Sequence, residues 1–159
     1  MTPTPPEDAH RWLHQLVGDW TFESADPDQH TGTERVRKLG ELWVVGESQM
    51  QMPGGAAGSA IITVGYDPHR KRFVGSWVGS MMARLWVYDG ELDAAGRMLS
   101  LYSDGPAFDD KGNFDNTKTA RYRDAIELTG DDRRTFTGSV LGPDGTWNTF
   151  MTTHYRRTA

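Results

Sequence analysis

The apolar residues of this chain follow two different periods, one near the N-terminus and another over everything that follows. Residues 1–6 hold three prolines and no apolar anchor, which predicts a loose lead-in. Over residues 7–17 apolar side chains recur three and four positions apart, which predicts one short helix. The helix must dock its stripe of Trp12, Leu13 and Leu16 on other elements, because it would be marginal alone. Its polar side, with His10 and His14, is expected to face solvent.

From residue 18 onward, short alternating segments are separated by turn residues. This pattern predicts about ten β-strands, at residues 19–25, 33–39, 41–51, 59–66, 71–80, 83–92, 97–103, 117–128, 135–141 and 146–157. No helical crossover lies between them, so consecutive strands are expected to pair antiparallel, and closure into a barrel would remove the exposed edges. We therefore predict a single all-β domain over residues 1–159, with an antiparallel up-and-down barrel at 18–157. A jelly roll or sandwich is the alternative.

One segment between the predicted strands is longer than the others. Residues 104–116 are polar, and we expect a solvated loop that could cover one end of the barrel. Its acidic residues do not follow the alternating pattern of a calcium-binding loop. The pair His10 and His14 has a metal-chelating spacing, but no third ligand is identifiable, so we expect no metal site.

Aromatic side chains fall on most of the predicted strands and cannot all be exposed. Such a set is typical of a cavity wall that binds an apolar small molecule through a few polar contacts. The predicted ligand-binding wall consists of Trp43, Tyr66, Trp77, Trp86, Tyr102, Trp147, His154 and Tyr155, with Met81 at its rim. The same residues packed on one another would instead make a solid core, and the sequence leaves both possibilities open.

The last strand has two faces of different character. One face carries Phe150, His154 and Arg156, and would form a polar end for an anionic ligand or supply a general base. The other carries Met151 and Tyr155 and would line an apolar pocket. The count of apolar residues favours the second face as the inner one.

Composition excludes several classes of protein. The 159 residues contain no cysteine, so disulfides, Cys-ligated metals and thiol nucleophiles are excluded. The net charge is −5 and the basic residues are scattered, so we expect no nucleic-acid partner. No apolar run approaches the length of a membrane span, and the N-terminus lacks the pattern of a signal peptide. We therefore expect a cytoplasmic protein without a membrane partner, either monomer or homodimer.

Several motifs carry a resemblance to known barrels. The run Leu-Val-Gly-Asp-Trp-Thr-Phe at 16–22 is similar to the opening of calycin-type barrels. Together with Gly-Tyr-Asp-Pro at 65–68, Phe-Val-Gly-Ser-Trp-Val-Gly-Ser-Met at 73–81, Asp-Gly-Thr-Trp at 144–147 and His-Tyr-Arg-Arg at 154–157, it resembles the bacterial family called domain of unknown function 1579.

This resemblance spans nearly the whole chain and implies a lipocalin-like barrel with an internal cavity. It implies no reaction and no agreed site residues. In the calycin-like arrangement Trp20 would close the barrel base and stack on Arg156 or Arg157 of the last strand.

A related group, the nitrobindin-like haem barrels, implies a second possibility. Those proteins bind haem through a histidine near the C-terminus, and this chain has His154 on its last strand. However, the group's glycine-rich stretch ending in Tyr-Pro is absent, because residues 21–27 read Thr-Phe-Glu-Ser-Ala-Asp-Pro. This departure argues against haem.

We expect a binding protein rather than an enzyme, without a cofactor, for a hydrophobic or amphipathic small molecule that carries an anionic group. One alternative is an enzyme that pairs His154 with Glu47 or Asp89 as acid and base. The others are a haem barrel using His154 and an interaction module with a packed interior.

Overall fold

A computed structural model describes residues 1–26 and 30–159 of the chain. The segment Asp-Pro-Asp at 26–28, whose composition predicts a turn, lies mostly outside these described residues. Ten strands follow one short helix. The strands are β1 Gly18–Ser24, β2 Thr31–Leu39, β3 Trp43–Gln51, β4 Ala57–Asp67, β5 Arg72–Gly79, β6 Trp86–Leu92, β7 Met98–Phe108, β8 Phe114–Gly130, β9 Arg133–Leu141 and β10 Trp147–Arg157.

These strands form a closed antiparallel barrel in which each strand pairs with its neighbours in sequence. The first and last strands close it, with Trp20 opposite Arg157 and Ser24 opposite Thr153. The predicted ten-strand up-and-down barrel is confirmed. Since every strand among the described residues is paired on both sides, the barrel they form has no open sheet edge.

The helix is shorter than predicted. Helix α1 runs over Asp8–Leu13, and a 3₁₀ turn at His14–Leu16 follows it. Val17 is already extended and leads directly into β1. Among the described residues, no helix is long and apolar enough to cross a membrane.

The expectation that His10 faces solvent is wrong, because the side chain is only 2% exposed. Its Nδ1 accepts the backbone N–H of Glu7 at 2.9 Å. The other nitrogen, Nε2, lies 3.0 Å from the carbonyl oxygen of Tyr66 and therefore donates to it. His10 thus joins the helix N-terminus to strand β4.

Helix α1 covers one end of the barrel, which we call the base. The indole N–H of Trp12 donates to the carbonyl of Gly96 at 2.7 Å, and Leu13 and Leu16 are buried in the core. Consecutive turns lie at alternate ends in an up-and-down barrel. The turns after β1, β3, β5, β7 and β9 therefore surround the opposite end, which we call the mouth.

The segment 104–116 is not a solvated loop. Strand β7 continues to Phe108 and β8 starts at Phe114, so only a tight turn separates them. The two rings stack with centroids 5.0 Å apart, and the Asp109 carboxylate accepts the N–H groups of Lys111 and Asn113. Stacking of these two rings lengthens the β7–β8 hairpin, although the outward-facing residues of the segment are polar.

Candidate functional site

The barrel encloses a cavity of about 300 Å³ between the base and the mouth. This volume lies at the lower end of the range of roughly 300–1,000 Å³ found for small-molecule sites. Most of the lining is apolar, and a smaller group of polar side chains lies within it.

Methionine and phenylalanine side chains surround the mouth. Met50, Met52, Met81 and Met82 line one part of the cavity, and Phe108, Phe114 and Phe150 line another. Met81 is 38% exposed and Phe150 is 43% exposed, so the lining reaches solvent here. Thioether side chains are flexible and fill irregular space, which makes this rim adaptable.

Trp86 joins the two parts of the rim. Its indole N–H lies 3.1 Å from the Met82 sulfur, and its ring contacts Phe114 and Tyr122. The ring occupies the space beside Gly105, where a Cβ would collide with it. Trp86 can therefore lie inside the barrel only because the neighbouring strand β7 has a glycine at this position.

At the base, Trp20 lies between two guanidinium groups. Its side chain is 1% exposed, and the groups of Arg134 and Arg157 lie 4.6 Å and 4.3 Å from the ring centre. Its indole N–H donates to the Leu16 carbonyl at 2.9 Å. The expectation for Arg156 is corrected, because Arg157 is opposite Trp20 in the register and Arg156 is on the other face of the strand.

A buried ion pair lies above Trp20. The Arg134 guanidinium donates to the Glu34 carboxylate, and the Ser48 hydroxyl donates to the second Glu34 oxygen at 3.1 Å. Tyr155 covers another part of the guanidinium at 3.9 Å. Gly46 makes room for this arrangement, since a Cβ there would approach the Glu34 carboxylate at 2.9 Å.

Halfway along β8, Asp124 points into the cavity between Tyr122 and Ile126. The Tyr88 hydroxyl donates to its Oδ2 at 2.6 Å. Burial raises the pKa of Asp124 to about 6, although the hydrogen bond from Tyr88 acts in the opposite direction. Burial, followed by repulsion from Asp124, raises the pKa of Tyr88 well above its usual value, so Tyr88 remains a neutral donor.

Tyr155 lies where both acidic groups act on it. Burial raises the pKa of its phenol, and repulsion from the Glu34 and Asp124 carboxylates raises it further. The side chain therefore remains a neutral hydroxyl within the cavity lining.

Four residues of the predicted wall line the cavity, namely Trp77, Met81, Trp86 and Tyr155. The other five are outside its lining, and the prediction is corrected for Trp43, Tyr66, Tyr102, Trp147 and His154. Trp43 covers Gly65 from the outer face of the sheet. Tyr66 packs against His10 and Phe73 beneath helix α1, so it belongs to the base.

Tyr102 and Trp147 lie together on the outer face. Their ring centres are 5.8 Å apart, and the Arg123 guanidinium lies 5.1 Å from the Trp147 ring. Strict alternation back from Tyr155 would place Trp147 inside. A β-bulge between Thr149 and Met151 shifts the register, so Trp147 lies outside and Phe150 joins the lining.

His154 is exposed on the outer face, opposite Glu23 of β1. It therefore cannot act as an axial ligand of a group bound in the cavity. Glu47 and Asp89 also lie on the outside, where they form ion pairs with Arg37 and Arg72. The acid–base pair considered from the sequence is thus not assembled in the cavity.

His30 is the histidine in the cavity lining. Its Nε2 is 3.2 Å from the Thr153 hydroxyl, its ring contacts Phe22, and burial lowers its pKa. This residue and the polar residues Glu34, Asp124 and Arg134 were missed from the sequence. The one signal for them was alternation, since Asp124 lies two positions from both Tyr122 and Ile126.

Comparisons with known proteins find a family but no curated relative. The family model described as protein of unknown function (DUF1579) matches residues 5–157. No curated protein matches the chain.

Several solved structures match the chain at low sequence identity. The S-type phycobiliprotein lyase CPES from Guillardia theta is 12% identical, with a TM-score of 0.51 over 97% of this chain and 99% of that chain. A fluorescence-activating β-barrel designed de novo is 13% identical, with a TM-score of 0.48 over 96% of this chain and 100% of that chain. EF1p2_mFAP2b bound to DFHBI is 10% identical, with a TM-score of 0.48 over 95% of this chain and 100% of that chain.

Proposed function

The chain belongs to the DUF1579 family, and on that premise we propose that it binds a small hydrophobic or amphipathic molecule inside the barrel. The observation that carries this proposal is the cavity of about 300 Å³ with a mainly apolar lining. A barrel that served only as a packed interaction module would gain stability by filling that volume.

The lining also fits a ligand that is mostly apolar. Val36, Val44, Val64 and Ile126 lie around the lower cavity, and the methionine and phenylalanine rim lies above them. Burying apolar ligand surface against such walls contributes roughly 25 cal/mol per Å². The few polar groups among them would fix the orientation of the bound molecule.

The test uses N-phenyl-1-naphthylamine, an uncharged dye whose fluorescence rises in apolar surroundings. We expect the protein to bind it at a ratio of one to one. Ala60→Phe should abolish this binding, because Ala60 lines the cavity and a phenyl ring would occupy the space. The matched control is Ile61→Phe, one position along β4, where the side chain is 43% exposed on the outer face.

Thermal unfolding of both variants shows whether each retains the fold. The proposal requires Ala60→Phe to lose the dye while folded and Ile61→Phe to retain it. If the wild-type protein leaves the dye dark, or if both folded variants bind it equally, the cavity is not the binding site and the proposal fails.

A further inference from the structure

We propose that the bound molecule carries a hydrogen-bond-donating head group, in its strongest form a protonated amine, and that this group binds Asp124 in the interior of the barrel. This inference rests on the proposed function and specifies its ligand. It identifies which end of an amphipathic molecule enters the cavity first, since Asp124 lies on β8 below the rim residue Phe114.

The first argument is the unfilled hydrogen-bonding capacity of Asp124. Tyr88 occupies Oδ2, and across the described residues no donor reaches Oδ1. Asp124 is partly exposed to the cavity space, so a ligand that fills the cavity would displace water from this oxygen and leave it unpaired unless the ligand carries a donor. A donor on a ligand would supply the missing bond.

The strands packed against Asp124 offer acceptors and apolar groups. Gly138 is its partner on β9 and has no side chain, and Leu101 is its partner on β7. Ser103 and Tyr155 line the same cavity, and within the described part of the chain neither hydroxyl has a hydrogen-bond partner. With Asp124 Oδ1 they provide three acceptor atoms, and an ammonium group has three N–H donors.

The second argument is charge. Among the described residues, the charged side chains that line the cavity are Glu34, Asp124 and Arg134. Arg134 is neutralised by Glu34, whereas Asp124 has no cationic partner in the part of the chain that the structure describes. The cavity therefore holds one uncompensated carboxylate, and a cation would be the group that balances it.

The same geometry disfavours an anionic head group. The Arg134 guanidinium donates to Glu34, and its faces are covered by Trp20 and Tyr155. Its Nε is buried and, within the described residues, has no hydrogen-bond partner. His154 and Arg156, which would have suited an anion, lie outside the barrel.

The experiment compares three probes with one hydrocarbon body: 4-phenylbutylamine, 4-phenylbutanol and 4-phenylbutanoate. Isothermal titration calorimetry at pH 7.5 measures each affinity, a condition in which Asp124 is ionised because its pKa is about 6. We expect the amine to bind tightest and the carboxylate weakest. Asp124→Asn should weaken the amine about 10-fold or more and change the alcohol by about twofold at most.

Two variants serve as controls. Asp89→Asn removes a carboxylate from the outer face of the barrel, where Asp89 binds Arg72, and should leave all three affinities unchanged. Ser103→Ala removes one of the three acceptors with little change in volume, so it should weaken the amine by a few fold without unfolding the protein. This second variant tests the head-group site even if Asp124→Asn proves unstable.

The outcomes separate the two proposals. If the amine and the alcohol bind equally, or if 4-phenylbutanoate binds tightest, the head-group assignment is overturned while binding in the cavity stands. If none of the three probes and no dye binds, the proposed function itself fails and takes this inference with it.

Discussion

The two ends of this barrel differ in the side chains that form them and in how far those side chains are buried. At the base, Trp20 and Leu13 are each 1% exposed, and directional contacts hold the tryptophan between two guanidinium groups. At the mouth, Met81, Phe108 and Phe150 are 37–43% exposed and are held mainly by contacts between soft or aromatic side chains. The fold thus concentrates its stability at one end and leaves the other end adaptable.

This difference has a physical basis in what each side chain loses on unfolding. A fully buried tryptophan returns all its apolar surface to water, along with its hydrogen bond to Leu16. Met81 is 38% exposed in the folded protein, so unfolding returns much less of its apolar surface to water. A binding site at the mouth can therefore change shape without a large penalty in global stability.

The substitution with the largest expected effect is Trp20→Ala at the base. It should lower the free energy of unfolding by about 3–5 kcal/mol, because it leaves a large cavity beside the buried Arg134 and the partly buried Arg157. The melting temperature should fall by about 10 °C, measured by circular dichroism. Trp43→Ala is the matched control, since Trp43 is 38% exposed on the outer face, and it should cost about 1 kcal/mol. Equal losses at the two tryptophans would contradict the contrast between buried base and outer surface.

A smaller effect is expected midway between the ends, at Asp124. Its folded pKa of about 6 lies above the usual aspartate value of 3.8, so the folded state holds the proton more tightly than the unfolded chain. The free energy of unfolding should therefore fall as the pH rises from about 4 to about 6, by about 1–3 kcal/mol.

Asp124→Asn should remove this dependence on pH. In denaturant titrations, the free energy of unfolding of the variant should therefore rise relative to that of the wild type between pH 4 and pH 7.5. Asp89 provides a contrast, because the hydrogen bond from Arg72 lowers its pKa and its contribution to stability is lost as the pH falls. A wild-type slope that survives in Asp124→Asn would show that another group is responsible.

The smallest effect is expected at the mouth. Met81→Ala should change the free energy of unfolding by only about 0.5 kcal/mol, because the side chain is 38% exposed. Leu13→Ala at the base should cost about 2–5 kcal/mol, since Leu13 is 1% exposed. The dye affinity should show the reverse order, with a several-fold loss in Met81→Ala. A loss of stability at Met81 as large as that at Leu13 would remove the distinction between the two ends.

The sequence was sufficient to predict the strand order because turn chemistry and alternation act locally. Segments such as 59–66 and 71–80 showed alternation between clear turns, and they became β4 and β5. Closure of the barrel followed from the absence of crossover helices. His10 was misplaced because its burial depends on the Tyr66 carbonyl, a partner 56 positions away in the chain.

The cavity wall was harder to predict, because it depends on the phase of each strand. A single bulge after Thr149 moved Trp147 to the outer face and brought Phe150 inside. Aromatic content was also a poor guide to the wall, since Trp43 serves to cover Gly65 from outside. Glu34 and Arg134 are 100 positions apart, so nothing in their local sequence shows that they form a buried pair.

The helix across the base also governs the kinetics of exchange. Since α1 covers that end, the described residues leave the methionine and phenylalanine rim as the route by which a molecule would enter and leave the cavity. With a single entrance, a second molecule cannot bind until the first has dissociated, so dissociation limits the exchange. The residence time is then set by rim motion, and the rate of replacement becomes independent of competitor concentration once the competitor is in excess.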